Sequence, residues 1–276
     1  MSQGFALLGL LLSVAIPAQA PPALETIQKI AEVQKKLPWF FTPFPEGIRD
    51  LPYAYEYTFR KRSLNSKGAE VFPSKSKTGH YKQARSMHFE QIPLKSGYGW
   101  TTRCIEQDDL ACTTQEGWNV PPQKNPADFR KAQEKRRQER VALWNEFLRA
   151  FRFELSGPVR VRFTPTGKYK HGSVKDSELF EILQGELWFD PATYEITHLQ
   201  FELIKDAGNL FAKYYKGTTY TIDLTKAIDN RYVPASWSLK INKRMLTKKG
   251  FEETEFKYFN YRKFETSSTI TFEGPQ

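Results

Sequence analysis

From Tyr53 to Phe264 the apolar residues of this chain recur at every second position, in one segment after another. Tyr53, Tyr55, Tyr57 and Phe59 alternate with Ala54, Glu56, Thr58 and Arg60. Val159, Val161 and Phe163 alternate with Arg160 and Arg162, and Leu199, Phe201 and Leu203 with His198, Gln200 and Glu202. Thr218, Tyr220, Ile222 and Leu224 follow the same rule, as do Ala235, Trp237, Leu239 and Ile241. Successive side chains of a strand point to opposite faces, so a period of two gives each strand one oily and one wet face. Asp190-Pro191 supplies turn chemistry inside GELWFDPATYEITHLQFEL, and Thr166-Gly167, Asp206-Ala207-Gly208 and Asp229-Asn230 mark further breaks. One-sided strands of this kind belong to antiparallel sheets, and the strand–helix repeat of a parallel α/β fold is missing.

Two segments change the period from two to about 3.6. PPALETIQKIAEVQKKL opens with prolines suited to a helix N-terminus and carries Leu24, Ile27, Ile30, Ala31, Val33 and Leu37 as an apolar stripe that ends at Pro38. Residues 127–155 predict a second, charged helix, entered through Asn125 as cap and Pro126. Its first half is charged all round, while Val141, Trp144, Phe147, Leu148 and Phe151 give the second half an apolar face. One end of this helix therefore docks and the other stands in water, where its basic run is a solvated face or a contact for an anionic surface. AEVFPS and ARSMHFEQIPL read as strands, LKSGYGWTTRC as a turn into another, and residues 108–125 as an exposed loop. The expected fold is mainly β (α+β): a curved antiparallel sheet of roughly eight to eleven strands, a size at which sheets curl or close. Two helices lie against its inner face, in one domain.

The first twenty residues, MSQGFALLGLLLSVAIPAQA, carry no charge and hold an apolar run from Phe5 to Ile16. That run is too short for a spanning helix, which needs roughly 20 apolar residues. Ala18-Gln19-Ala20 resembles a cleavage site, so residues 1–20 are expected to be a secretory signal peptide and the protein periplasmic. An uncleaved anchor or a buried helix is the alternative. The folded domain is expected over 22–265, with 266–276 as a tail. Cys104 and Cys112 are the chain's two cysteines. In an oxidising compartment a local disulfide is favoured over free thiols, and two cysteines without a neighbouring histidine do not make a structural zinc site.

Lys and Arg total 41 against 31 Asp and Glu, a formal charge of +10 that favours polyanions or anionic membrane surfaces. Export argues against nucleic acid, so envelope lipids and anionic polysaccharides are the expected partners. Motifs for catalysis are missing: no H-E-x-x-H, no G-x-S-x-G, no phosphate-cradling glycine loop, and four scattered histidines. Asp108 and Asp109 lack the alternating spacing of a calcium loop and read as a solvated acidic turn. His198 reads as a surface residue. Neither a metal nor a cofactor is expected, and the chain reads as a non-enzyme, with Asp108 and His198 the residues to alter in testing that.

Function then rests on shape. A one-sided sheet with two helices to cover it has oily surface to spare, which packs as ordinary core or shelters a lipid chain. Each buried methylene contributes about 0.8 kcal/mol. Alternation places Leu199, Phe201, Tyr220, Ile222, Trp237, Leu239 and Ile241 on that face as the candidate ligand cavity.

The hairpin residues Gly185, Leu187, Trp188, Phe189, Asp190, Pro191, Thr193 and Tyr194 fit a G-x-[LV]-W-[FIV]-D-P-x-T-[YF] pattern. With YVPASWSLKI and FNYRKF downstream, and the helix and strands upstream, the chain resembles the outer-membrane lipoprotein-sorting proteins, the LolA/LolB-like periplasmic lipoprotein carriers. The resemblance implies an incomplete β-barrel with helices as a lid over an apolar cavity for lipoprotein acyl chains or lipid. The long charged helix is an insertion relative to a compact carrier. The carriers' early arginine strand has no located counterpart, so no ligand-contacting residue is carried over. The alternative is an envelope interaction protein whose basic face binds anionic polysaccharide, lipid headgroups or a protein partner.

Overall fold

The alternating segments pair into an open antiparallel sheet in the computed structural model, which describes residues 21–37, 53–72, 85–94, 100–112, 118–119, 125–172, 177–208, 212–245 and 248–263. The expected signal peptide and tail lie outside the described residues. The elements in chain order are α1 (Pro21–Gln34), β1 (Tyr53–Asn65), β2 (Ser86–Pro93), β3 (Trp100–Gln107), β4 (Leu110–Ala111), β5 (Trp118–Asn119) and α2 (Pro126–Ala150). They continue with β6 (Phe151–Gly157), β7 (Arg160–Pro165), β8 (Leu183–Phe189), β9 (Ile196–Leu203), β10 (Ala207–Gly208), β11 (Ala212–Tyr214), β12 (Thr219–Lys226), β13 (Tyr232–Met245) and β14 (Lys248–Lys263). Short 3-10 turns at Ser177–Glu181 and Ile228–Asn230 precede β8 and β13. The main path runs β4-β3-β2-β1-β14-β13-β12-β9-β8-β7-β6, so β1 leaves its neighbours in sequence to pair with β14. The protein is mainly β, and its sheet does not close.

The charged helix is shorter than its sequence suggests. It ends at Ala150, and Phe151 turns to an extended backbone with φ −115° and ψ 152°. Residues 151–155, expected as helix, are the start of β6, where Phe151, Phe153 and Leu155 pair with Pro165, Phe163 and Val161. Phe151 satisfies both a helical and an alternating pattern, and partners on β7 settle the choice. At the other end Asn125 Oδ1 accepts the Ala127 N–H at 2.9 Å, the expected cap. Leu143, Trp144, Phe147 and Ala150 are buried, and the first half carries exposed intrahelical ion pairs such as Arg137–Glu134. In α1 the buried stripe is Ala23, Ile27, Ile30, Ala31 and Gln34, whereas Leu24 faces water and Val33 is half-buried.

The stretch 108–125, expected as a loop, is in part a hairpin. Asp108 and Asp109 both have positive φ, 51° and 66°, the signature of a two-residue turn that returns β3 into β4. Trp118–Asn119 pairs with β3 as well, and residues 113–117 and 120–124 lie outside the described set. A disulfide joins Cys104 to Cys112 across this hairpin.

Phe147 stands at the centre of the main core, with the rings of Phe151, Phe153, Phe163 and Phe180 centred 4.8 to 5.7 Å away. Trp144 and Phe147 of α2 face Leu187, Ile196, Leu199 and Phe201 across a gap of about 20 Å³, room for a single water. Helix α1 packs on β6 and sets Lys29 over the Tyr194 ring at 5.5 Å. The helix contacts described here therefore fall on the β6–β9 half of the sheet.

Candidate functional site

Register places all seven candidate cavity residues on one face. One row of paired residues reads Leu199, Ile222, Trp237, Phe256, Phe59 and Met87 across β9, β12, β13, β14, β1 and β2. The next row reads Phe201, Tyr220, Leu239, Thr254 and Lys61, and the one beyond it includes Ile241, Glu252 and Ser63. Burial changes along the first row. Leu199, Ile222 and Trp237 are buried, at 2%, 7% and 6% exposure, whereas Phe256, Phe59 and Met87 are half-buried. Leu239 and Ile241 are half-buried too.

Aromatic rings run along this face without a break. Centroid separations are 5.7 Å for Phe163–Phe201, 5.6 Å for Phe201–Tyr220, 5.5 Å for Tyr220–Trp237 and 4.9 Å for Trp237–Phe256. Phe256 continues to Phe59 at 5.0 Å and to Tyr57 at 6.3 Å, and Tyr57 stacks on Phe89 at 5.0 Å. The ribbon starts under α2 and ends half-open on β1, β2 and β14. Burial pushes the Tyr220 hydroxyl well above the ordinary tyrosine range, as expected of a phenol enclosed among rings. Trp237 Nε1 is buried and has no hydrogen-bond partner among the described residues, an exception to the rule that buried donors are paired.

One bulge keeps the end of β14 on the same face. Register slips between Ala54 and Glu56 of β1, opposite Asn260, whose φ is +53°. Asparagine tolerates that left-handed backbone, and the extra residue turns both Tyr258 and Tyr261 toward Tyr55, at 6.1 and 5.5 Å. Tyr261 then donates its hydroxyl to the Pro234 carbonyl at 2.7 Å. Simple alternation from Phe251 does not reveal this.

At one end the apolar face becomes charged. Lys61 Nζ lies 3.2 Å from Glu252 Oε1, and Lys243 Nζ contacts Glu252 Oε2. Burial alone would push the Glu252 carboxyl up, but hydrogen bonding and charge from Lys243, then Lys61, outweigh it and hold the group below its ordinary value. These three residues were not singled out from sequence, because charged positions in a strand read as the wet face.

The hairpin motif has a structural role on this scaffold. A side chain at Gly185 would place its Cβ 2.1 Å from the Gln200 carbonyl oxygen and 2.5 Å from the Phe163 ring, so only glycine fits under that ring. Asp190 Oδ1 accepts the Ala192 N–H at 2.9 Å, and Oδ2 receives Tyr232 Oη at 3.0 Å and Lys226 Nζ at 3.1 Å. Asp190 thus ties the β8–β9 turn to the β12–β13 connection. Tyr194 adopts φ +58° and stacks on Phe189 at 5.8 Å, beneath Lys29 of α1. Trp188 sits on the polar face, edge-on to His198 at 4.5 Å and 5.6 Å from the Arg160 guanidinium.

His198 lies on the polar face with its side chain 27% exposed. Its Nδ1 lies 2.6 Å from Asp223 Oδ1, and Ser236 donates its hydroxyl to Asp223 Oδ2 at 2.7 Å. Asp223 is paired with His198 on β9 and with Ser236 on β13, so the imidazole and the hydroxyl are joined through the carboxylate. Asp108 Oδ1 accepts the Arg85 and Ser86 N–H groups at 2.7 and 3.0 Å, which fixes the start of β2. Among the described residues no group of three His, Cys, Asp or Glu side chains is arranged to hold a metal ion. No protein-family model and no curated protein matches this chain.

Proposed function

We propose that this protein is an exported, non-enzymatic carrier or sensor that shelters acyl chains, from lipoproteins or free lipid, on the inner face of an incomplete β-barrel lidded by helices. The observation that carries this reading is the open end of the aromatic ribbon. Phe59, Tyr57, Phe89 and Phe256 stay half-buried on the half of the sheet away from the helix contacts. Burying about eight methylenes there contributes roughly 6 kcal/mol before the cost of ordering the ligand. The half beneath α2 is too full for the same task, since its gap holds about one water, so a chain enters it only if α2 lifts. The Cys104–Cys112 disulfide is compatible with the oxidising compartment that export implies. The likeness to LolA/LolB-like carriers supports the same reading through the hairpin residues Gly185 to Tyr194. Native mass spectrometry of protein purified from its own envelope tests it. Co-purifying lipid or acylated protein is expected; protein that emerges bare and binds no fluorescent fatty acid refutes it.

A second reading has its own observation. The polar face carries a groove of about 390 Å³ lined by Arg60, Arg62, Ser238 and Lys240 beside Glu253 and Glu255. It suits an anionic polysaccharide, lipid headgroups or an acidic partner. Titration with polygalacturonate at rising salt tests it: binding that weakens steeply with ionic strength supports the groove, and absence of binding at low salt removes it.

A further inference from the structure

The charged end of the apolar face has a composition that packing alone does not require. Lys61, Glu252 and Lys243 share the face of Leu239 and Ile241, and their side chains are 34%, 12% and 26% exposed. Two ammonium groups flank one carboxylate, which leaves one positive charge in surplus among the described residues. On a strand two residues advance about 7 Å. The Lys61 row is therefore about 7 Å from the Trp237–Phe256–Phe59 row, and the Lys243 row about 20 Å from it. In the Trp237–Phe256–Phe59 row, inside the ribbon, the buried Trp237 Nε1–H meets no acceptor among the described residues.

A hydrocarbon strip, an unsatisfied donor within it and a surplus cation at its end together describe an amphiphile. We infer that the ligand is an acyl chain with an anionic head, carboxylate or phosphate monoester, whose head is held between Lys61 and Lys243 while its chain lies along Phe59, Phe256 and Trp237. This rests on the carrier reading and narrows it: a neutral ester or a purely hydrocarbon ligand leaves the surplus charge unanswered. Glu252 sets the strength of the site by cancelling one of the two lysines. Charge bookkeeping gives opposite signs for the two kinds of change, with Lys61→Gln or Lys243→Gln removing the surplus and Glu252→Gln doubling it.

The test uses the oxidised full-length protein with cis-parinaric acid and its methyl ester, followed by fluorescence at low salt. The expected result is that the acid binds about tenfold more tightly than the ester, the scale of one charge-assisted hydrogen bond. Each single Lys→Gln variant should lose that preference, and Glu252→Gln should increase it, a gain that a misfolded variant cannot mimic. A long-chain lysophosphatidic acid that displaces the probe at least as well as a fatty acid assigns the site to phosphate; weaker displacement assigns it to carboxylate, and either supports the inference. Displacement by inorganic phosphate alone at the same concentration overturns it, because the chain would then play no part. Equal binding of acid and ester overturns the head-group site and leaves the carrier reading standing. Failure of both probes to bind overturns both.

Discussion

Replacing Gly185 with alanine adds one carbon and two hydrogens to a 276-residue chain, and the structure gives that change a definite cost. The new Cβ would lie 2.1 Å from the Gln200 carbonyl oxygen of β9 and 2.5 Å from Cζ of Phe163. The Phe163 ring can tilt, but it is fully buried and packed edge-on against Phe147, Phe151 and Phe201. The Gln200 carbonyl belongs to the β8–β9 ladder, where Glu186 pairs with Gln200, so relief there strains or breaks a strand pairing. Overpacking of this kind costs about 1–3 kcal/mol, and a weakened ladder hydrogen bond about 1 kcal/mol more. Against these, loss of glycine's freedom in the unfolded chain returns about 0.4–1 kcal/mol. The net expectation is a destabilisation of about 1–3.5 kcal/mol. Urea unfolding of the oxidised protein measures it as a lower midpoint at unchanged slope. Phe163→Leu in the same chain should recover part of the loss, since it removes one of the two clashes, and the double-mutant coupling should be favourable. If Gly185→Ala is neutral or stabilising, the packing of Phe163 over Gly185 described above is wrong.

Further outcomes follow from single contacts. Asn125→Ala removes the cap of α2 and should cost about 1 kcal/mol locally, visible as faster amide exchange in the first turn of that helix with little change in the global midpoint. Asp190 is held below its ordinary value of 3.8 by the Ala192 N–H, then by Lys226 and Tyr232. Its folded pKa is depressed, so its contribution is complete at neutral pH and is lost as pH falls from about 3.8 through the lower folded value. Asp190→Asn should therefore differ most from the parent at neutral pH, with the two unfolding midpoints converging on acidification; a constant gap would contradict the assignment. Cys104→Ser with Cys112→Ser opens a short loop, the bonded residues being separated by 8 in the sequence, and should cost about 2–3 kcal/mol in urea unfolding.

The strands and their oily face were legible because alternation is a local signal, and the pairing of β1 with β14 preserves it. Leu199, Phe201, Tyr220, Ile222, Trp237, Leu239 and Ile241 share a face for that reason. What sequence missed depended on partners far along the chain. Phe151 continues the helical stripe of Trp144 and Phe147 as well as the alternation of Phe153, and only pairing with β7 decides between them. Ala23 and Gln34 are buried in place of the more apolar Leu24 and Val33, because α1 presents the stripe that fits β6 rather than the most hydrophobic one. Tyr261 changes face through a bulge centred on Asn260. Lys61, Lys243 and Glu252 looked like solvent positions until register carried them onto the apolar face.

The claim on which the account turns is that a hydrocarbon chain lies on the half-open aromatic face of β1, β2, β13 and β14. A palmitate analogue with a photoreactive diazirine near its methyl end, irradiated with the oxidised protein and mapped by peptide mass spectrometry, examines that directly. Labels on Tyr57, Phe59, Phe89 or Phe256, at the end of the ribbon away from Lys61 and Lys243, are predicted, in competition with unlabelled palmitate. Labels confined to the polar face around Arg60 and Lys240, or labelling that palmitate does not compete away, would contradict it.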